Sequence, residues 1–188
     1  MSKVILLDTG IVGGMLSKMV EVALSWHQLV ETIARQIPGS KSSVPTPVWF
    51  EIAQWHSGSH RAVREKRSER SPDFYQYAED AIPNDILMDA AWYKCQTRQS
   101  SNNPDTRGAG KSKDKISMAD ALIAAYCLRY GHYVLTLNNQ DFPEKFFEVV
   151  CIQNAPSTTD YQRDLVVLLK PRQSKWQESQ TFLVDTYS

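Results

Sequence analysis

The stretch that most constrains this chain is residues 116–142, where the sequence predicts a helix, a glycine stop, a short strand and an acidic turn. Ser117 is a favourable N-cap residue, and Asp120 falls in the first turn, where the helix dipole stabilises an anion. Gly131 is placed to end the helix in a left-handed conformation. Residues 132–137 then form a mostly apolar run typical of a buried strand. A helix followed directly by a buried strand is typical of an α/β sheet.

Polar side chains follow two predicted strands at their C-terminal ends. Residues 3–7 are an apolar run, the pattern of a buried parallel strand, and Asp8 comes directly after it. Asn138 and Asp141 follow the later strand in the same way. Because ligands gather at the carboxyl ends of strands in open α/β sheets, we expect these side chains to lie near Asp120 and to form a site.

Apolar spacing predicts the other elements of the 188-residue chain. Helices are expected over residues 20–36, 47–53 and 88–99, and strands from Val44, at residues 86–87, over residues 146–152 and over residues 165–169. Residues 173–188 fit neither pattern clearly. The chain shows no internal repeat and no linker, and its length suits one domain. Strands that alternate with helices predict a parallel α/β sheet layered between helices.

The charge balance limits how this chain could bind nucleic acid. Its formal net charge is zero and its pI is about 6.9, so no overall basic field would attract a polyanion. Binding would depend on a local patch, a bound cation or a partner. The basic run at residues 60–70 is typical of a solvated helical face, and it is also a candidate phosphate-contacting surface. The candidate RNA contacts, from this run and from the polar loop at residues 100–115, are Arg61, Arg64, Lys66, Arg67, Lys111 and Lys113.

Cysteine usage and hydropathy bear on the compartment. Cys95, Cys127 and Cys151 form no C-x-x-C pair, so neither a disulfide framework nor a structural zinc site is indicated. Buried thiols in a reducing cytosol are the simpler interpretation. No apolar run approaches the roughly 18 residues that a membrane-spanning helix needs. We therefore expect a cytoplasmic protein with no membrane partner.

Several acidic or polar residues lie at similar boundaries of the predicted elements. They are Asp8, Glu51, Asp120, and the pair Asn138 and Asp141. Carboxylates crowd together only when something positive compensates them, and a hard divalent cation with oxygen ligands does so. Such a cation can activate a water and stabilise charge on a phosphodiester. Taken alone, Glu51 is also typical of an ordinary exposed helix residue.

Four segments of the chain resemble the PIN-domain family, and most of all the small prokaryotic PIN ribonucleases that serve as VapC-type toxins. They are residues 5–9, 44–53, 118–125 and 135–142, in the order that the family has them. The segment at residues 118–125, which contains Asp-Ala-Leu-Ile-Ala-Ala, is the most distinctive of the four. The resemblance extends over roughly residues 3–150.

The resemblance implies a three-layer PIN-like α/β fold, with a central, mainly parallel sheet flanked by helices. Residues 1–152 would form the PIN-like nuclease domain, and residues 153–188 a C-terminal extension packed on the same domain with one strand. The implied activity is that of a Mg²⁺- or Mn²⁺-dependent endoribonuclease that hydrolyses RNA phosphodiester bonds. The VapC-type branch further implies the toxin of a type II toxin–antitoxin system, with a small antitoxin protein as partner and a homodimer as assembly.

The same resemblance implies roles for seven residues. The catalytic acids would be Asp8, Glu51, Asp120 and Asp141. The metal ligands would be these four acids together with Asn138. The side chains that orient the acids or a phosphate would be Thr9 and Thr136. Asn138 occupies a motif position that can be acidic in the family. Its side-chain carbonyl oxygen is neutral and so lacks the charge to hold a second cation tightly.

Departures from the compact toxins keep a second hypothesis open. The region at residues 56–115 is longer than in those toxins, and residues 153–188 are an addition. The longer middle region, the neutral pI and Asn138 favour a PIN-fold module that binds RNA or protein with weak or no nuclease activity. Asp8-Thr9-Gly10 also matches the aspartic-protease signature. Those enzymes need two such aspartates on an all-β scaffold, and the sequence has no second copy of the motif.

Overall fold

The computed structural model of the protein describes residues 3–56, 82–100, 116–156 and 164–187. Over these ranges the chain is an α/β fold with five strands and six α-helices. Within the same ranges, no helix is both long and apolar enough to cross a membrane. The six basic residues predicted to contact RNA lie outside the described residues. They are Arg61, Arg64, Lys66, Arg67, Lys111 and Lys113.

The described strands form one mixed sheet. They are β1 (Val4–Leu7), β2 (Lys41–Ser43), β3 (Tyr133–Thr136), β4 (Phe147–Asn154) and β5 (Leu165–Pro171). Their order across the sheet is β2-β1-β3-β5-β4. β1 pairs in parallel with both β2 and β3, as predicted. β5 runs antiparallel to β3 on one side and to β4 on the other.

The prediction of a parallel sheet therefore needs correction at β5. The connection from Asn154 to Leu165 is short, and a short connection returns the chain beside the strand it has just left. A parallel pair would need a longer crossover, usually with a helix. The N–H of Ala155 donates to the Asp164 carbonyl at 2.8 Å and holds the two strand ends together. Because β5 also pairs with β3, the sheet includes residues from the end of the chain.

The described helices largely follow the predicted pattern. They are α1 (Thr9–Met15), α2 (Val20–Arg35), α3 (Thr46–His56), α4 (Asn84–Ser100), α5 (Met118–Tyr130) and α6 (Gln173–Tyr187). α2 matches the helix expected over residues 20–36. The Ser117 hydroxyl caps α5, and Gly131 ends it at φ 73°, so both predictions about the ends of this helix are confirmed.

Three local predictions differ from the structure. β2 ends before Val44, where Pro45 could not have donated a ladder hydrogen bond. The predicted strand at Ile86 and Leu87 is wrong, because both residues lie in the first turn of α4. Ile86 is buried and Leu87 is exposed, so one side of this helix faces the core. The ambiguous tail forms α6, in which the buried Trp176 supplies a tertiary anchor.

The centre of the sheet is buried on both faces. Ile5, Leu6 and Leu7 of β1 and every side chain of β3 are shielded from solvent. Neighbouring side chains on a strand point to opposite faces, so burial of all of them means that both faces are covered. α1 and α5 both contact β3. The parallel pairing of β1 and β3 leaves their carboxyl ends side by side at one edge of this core.

α6 is fixed to α5 and α4 by polar contacts. The Gln173 side-chain amide donates to the carbonyls of Leu128 and Arg129, both at 3.2 Å, and so caps the last turn of α5. Gln180 donates to Asp89 Oδ1 at 2.8 Å, and Arg129 Nε donates to Asp89 Oδ2 at 2.7 Å. Asp89 is buried, and these two donors satisfy both of its carboxylate oxygens.

Candidate acidic site

Asp8 lies where β1 passes directly into α1, beside the end of β3. Leu7 pairs with Leu135, and the N–H of Asp8 donates to the Leu135 carbonyl at 3.0 Å. The Asp8 carboxylate is buried, and it caps α1 because Oδ1 accepts from the N–H of Thr9 at 2.6 Å. Oδ2 accepts from the Thr136 hydroxyl at 2.6 Å. Both oxygens are therefore held by neighbouring backbone and side-chain donors.

Glu51 of α3 reaches the same end of the sheet. The Thr9 hydroxyl donates a hydrogen bond to Glu51 Oε2. Glu51 is only partly exposed, and its charge contributes to the raised pKa of Asp8. It is therefore connected to Asp8 through one threonine and is not an isolated exposed residue on its helix.

Asp120 is positioned by the first turn of α5. Its N–H donates to the Ser117 hydroxyl at 3.0 Å, which is the capping bond of the helix. After burial, the charge of Asp120 is the next cause that raises the pKa of Asp141, so the two carboxyl groups interact and repel each other when both are ionised.

Asn138 and Asp141 lie in the turn after β3, which includes the short 3₁₀ helix Asn139–Asp141. The N–H of Asn138 donates to the Thr136 hydroxyl oxygen at 2.9 Å, and the side-chain amide of Asn138 donates to Asp141 Oδ2 at 2.7 Å. The hydroxyl of Thr136 thus connects the turn to Asp8. Because the amide nitrogen of Asn138 donates to Asp141, its carbonyl oxygen is the atom that remains for binding a cation.

Tyr93 is a residue of this region that sequence reasoning missed. Its hydroxyl donates to the backbone carbonyl of Asp141 at 2.6 Å. Tyr93 precedes Asp141 by 48 residues and lies in a helix without a recognisable motif, so neither spacing nor periodicity could have predicted the contact.

Burial and mutual repulsion raise the pKa of two carboxyl groups in the site. Burial is the largest cause at Asp8, and the charges of Asp120 and Glu51 add to it, so the pKa of Asp8 rises from 3.8 to about 6. Burial also leads at Asp141, where the charges of Asp120 and Asp8 help to raise the pKa to about 6. Among the described residues, no basic side chain is a cause of either shift. Within the described ranges, the negative charge of the site is therefore not balanced by a neighbouring basic side chain.

The donor atoms have the chemistry of a hard-cation site. All of them are oxygens, which suits Mg²⁺ or Mn²⁺. In the ranges that the structure describes, however, no three acidic, histidine or cysteine side chains are arranged to hold one metal ion. Asp8 and Glu51 each accept a hydrogen bond from a threonine instead. The residues fit a divalent cation in charge and donor type, but the described side chains are not arranged around a common point.

The structure brings together seven of the residues that the sequence singled out. We call them the acidic site, and they are Asp8, Thr9, Glu51, Asp120, Thr136, Asn138 and Asp141. Cys127 is fully buried, and burial raises the pKa of its thiol, so it is not a nucleophile for this site. Cys95 is exposed, which differs from the expectation of buried thiols.

Comparison with known proteins gives little beyond this geometry. No protein-family profile matches the sequence, and no curated protein matches it either. Among solved structures, a chain from the VapBC2 complex of Rickettsia felis, determined with a DNA fragment from its promoter, is similar to this chain at a TM-score of 0.46 and 17% identity. The match covers 73% of this chain and 89% of that chain. A likeness at this level shows neither a family nor an activity.

Proposed function

We propose that the protein is a PIN-like endoribonuclease whose acidic site binds Mg²⁺ or Mn²⁺ and hydrolyses RNA phosphodiester bonds. The observation that carries the proposal is the convergence of carboxylates from β1, α3, α5 and the turn after β3, of which Asp8 and Asp141 have raised pKa values. Carboxylates crowded in this way favour a cation in their midst. The sequence resemblance of residues 118–125 and 135–142 to the PIN-domain family supports the same proposal.

Each residue of the acidic site has a role under this proposal. The cation would be held by Asp8, Glu51, Asp120 and Asp141, with the carbonyl oxygen of Asn138 as a neutral donor. When bound, it supplies positive charge to a phosphodiester oxygen and lowers the pKa of a water. The hydroxyls of Thr136 and Thr9 orient the carboxylates of Asp8 and Glu51. The neutral donor leaves charge for one tightly held cation rather than two.

We further propose that the protein is the toxin of a type II toxin–antitoxin system, restrained by a small antitoxin and assembled as a homodimer. The sequence resemblance to VapC-type toxins supports this role. Expression of the protein would then arrest growth, and co-expression of a small protein from a neighbouring gene would relieve the arrest. Growth that is unaffected by expression of a nuclease-active protein would contradict the toxin role and leave the ribonuclease proposal standing.

Cleavage of RNA by the wild type and by an Asp8→Asn variant tests the enzymatic proposal. Each protein is incubated with RNA and Mg²⁺, Mn²⁺ or EDTA. We expect cleavage only by the wild type and only with metal, since the substitution removes a ligand charge and keeps the side-chain volume. Glu31→Gln is the matched control, because Glu31 is a solvent-exposed acid on α2 that pairs with Arg35. Equal cleavage by wild type and Asp8→Asn, or none with any metal, would remove the proposal.

A PIN-fold module that binds RNA or protein is the second candidate. Two observations favour it: no three ligand side chains are arranged around one point in the described residues, and Asn138 stands where an acid could provide charge. This candidate predicts that RNA binds without being cut. A gel-shift measurement with the same RNA and EDTA would show equal retention by wild type and Asp8→Asn.

A further inference from the structure

We propose that Tyr93 is a positioning residue, whose hydroxyl fixes the turn after β3 and thereby sets the position of the Asp141 carboxylate in the acidic site. Its consequence for metal binding rests on the proposed function. The structural step does not, because it concerns the turn in the metal-free protein.

The first support is the atom that Tyr93 contacts. Asp141 is the last residue of the 3₁₀ helix Asn139–Asp141, and carbonyls at the C-terminal end of a helix have no partner within it. The Tyr93 hydroxyl donates to the Asp141 carbonyl at 2.6 Å and supplies that partner. From the other side, the Asn138 amide donates to Asp141 Oδ2 at 2.7 Å. The backbone and the carboxylate of one site residue are thus held from two different elements.

The second support is the packing of Tyr93 itself. Its side chain is fully buried, and its ring lies 5.9 Å from that of Phe146, 6.4 Å from that of Phe147 and 6.2 Å from that of Trp176. A tyrosine held in this way projects its hydroxyl from a rigid base with only two side-chain torsions. Since Trp176 belongs to α6, the C-terminal helix helps to hold the donor that restrains the acidic turn.

The third support is that packing alone does not require the hydroxyl. A phenylalanine would fill the same space among these rings, whereas the phenol adds a single directed hydrogen bond. The hydroxyl donates to the Asp141 carbonyl at 2.6 Å, and a phenylalanine would leave that carbonyl without this donor.

The test is a Tyr93→Phe variant measured in two ways. Backbone hydrogen exchange of the metal-free protein is followed at residues 138–142, and the dissociation constant for Mn²⁺ is measured by titration calorimetry. We expect faster exchange confined to this turn and a roughly three- to tenfold weaker Mn²⁺ affinity, the range that loss of one hydrogen bond gives. Tyr133→Phe is the matched control, since it removes a phenol oxygen from a buried tyrosine at the opposite end of β3.

A double substitution separates positioning from general stability. If Tyr93 acts through the Asp141 carboxylate, Tyr93→Phe changes Mn²⁺ affinity in the wild type and no longer changes it beside Asp141→Asn. Unchanged exchange at residues 138–142 in Tyr93→Phe would overturn the inference, as would an equal loss of Mn²⁺ affinity in both backgrounds. If the wild type binds no Mn²⁺, the proposed function fails, and the exchange measurement alone decides whether Tyr93 holds the turn.

Discussion

Thr136 makes two hydrogen bonds that connect the parts of the acidic site. Its side chain is fully buried, and its hydroxyl donates to Asp8 Oδ2 while accepting from the N–H of Asn138. A buried hydroxyl that both donates and accepts a hydrogen bond contributes to stability and also fixes the relative position of its two partners. Replacement of this one side chain should therefore affect both the strand end and the turn.

Thr136→Val should destabilise the protein by about 1–3 kcal/mol, because it keeps the volume of the side chain but leaves the buried Asp8 carboxylate and the N–H of Asn138 without this partner. It should also raise the pKa of Asp8 further, since the lost hydrogen bond is one that lowers that pKa. Denaturant unfolding measures the first effect, and carboxyl NMR titration measures the second. Thr32→Val is the control, because Thr32 is exposed and its hydroxyl donates to the Gln28 carbonyl within its own helix.

Asp120 should matter more than Asp141 to an activity of this site. The charge of Asp120 raises the pKa of both Asp8 and Asp141, so Asp120 interacts with both carboxyl groups. It also lies in a capped helix, whereas Asp141 lies in a turn. We expect Asp120→Asn to lower both of those pKa values and to reduce RNA cleavage more than Asp141→Asn does. Carboxyl titration and cleavage rates test the ranking, and comparable losses from both variants would contradict it.

At the scale of the element, the end of α5 shows how a predicted stop acquires a tertiary role. Gly131 adopts φ 73°, which the sequence predicted. A Cβ at this position would lie 2.9 Å from Oε1 of Gln173, whose amide caps the last carbonyls of α5. The left-handed conformation and the close approach of α6 both favour glycine here.

Gly131→Ala should therefore destabilise the protein more than Gly39→Ala. Both glycines have a φ near 75°, so both substitutions introduce a similar backbone strain, on the order of 1 kcal/mol. At Gly39 nothing lies within 4 Å of the added Cβ, whereas at Gly131 the Gln173 side chain must move and give up its capping bonds. Thermal unfolding of the two variants measures the difference. The additional destabilisation by Gly131→Ala should disappear when this substitution is made in a Gln173→Ala background.

At the scale of the whole molecule, the order of the strands creates the acidic site. β1 and β3 are neighbours in the sheet, so Asp8 and Thr136 meet although 128 residues separate them. The same arrangement buries Asp8 and Asp141 and places other carboxylates beside them, which raises the pKa of these two groups. Folding without a cation therefore works against electrostatic repulsion.

The raised pKa of Asp8, caused by burial first and then by the neighbouring carboxylates, predicts how stability depends on pH. The folded protein binds the Asp8 proton more tightly than the unfolded chain does, because its pKa is about 6 in the fold and near 3.8 outside it. The stabilisation is present below about pH 4 and is lost as pH rises towards 6. At neutral pH, the ionisation of Asp8 therefore lowers the free energy of unfolding by about 3 kcal/mol. Relative to the wild type, metal-free Asp8→Asn should become more stable as pH rises from 4 to 6.

Unfolding of the two proteins at pH 4, 5, 6 and 7.5 measures this dependence. Mn²⁺ at pH 7.5 should raise the melting temperature of the wild type and leave that of Asp8→Asn nearly unchanged, since only a ligand that binds the folded state stabilises it. If, without metal, the stability of the wild type relative to Asp8→Asn increased with pH, the prediction would be contradicted.

The sequence by itself determined the local features of this protein. The Ser117 cap, the Gly131 stop and the apolar runs of β1 and β3 each depend on neighbouring residues, and the structure agrees with all of them. The acidic residues could be nominated because polar side chains directly after buried strands are hard to explain as core. Local periodicity did not determine the state of residues 86–87, which lie in the first turn of α4 with Ile86 buried in the core.

Only the tertiary structure decided which distant residues meet. The antiparallel insertion of β5 between β3 and β4 depends on pairing partners far apart in the chain. The contact of Tyr93 with Asp141 depends on how α4 packs against the aromatic rings of Phe146 and Trp176. Both contacts join residues that are far apart in the sequence, and they form only when the core is assembled. A short stretch of sequence therefore cannot predict them.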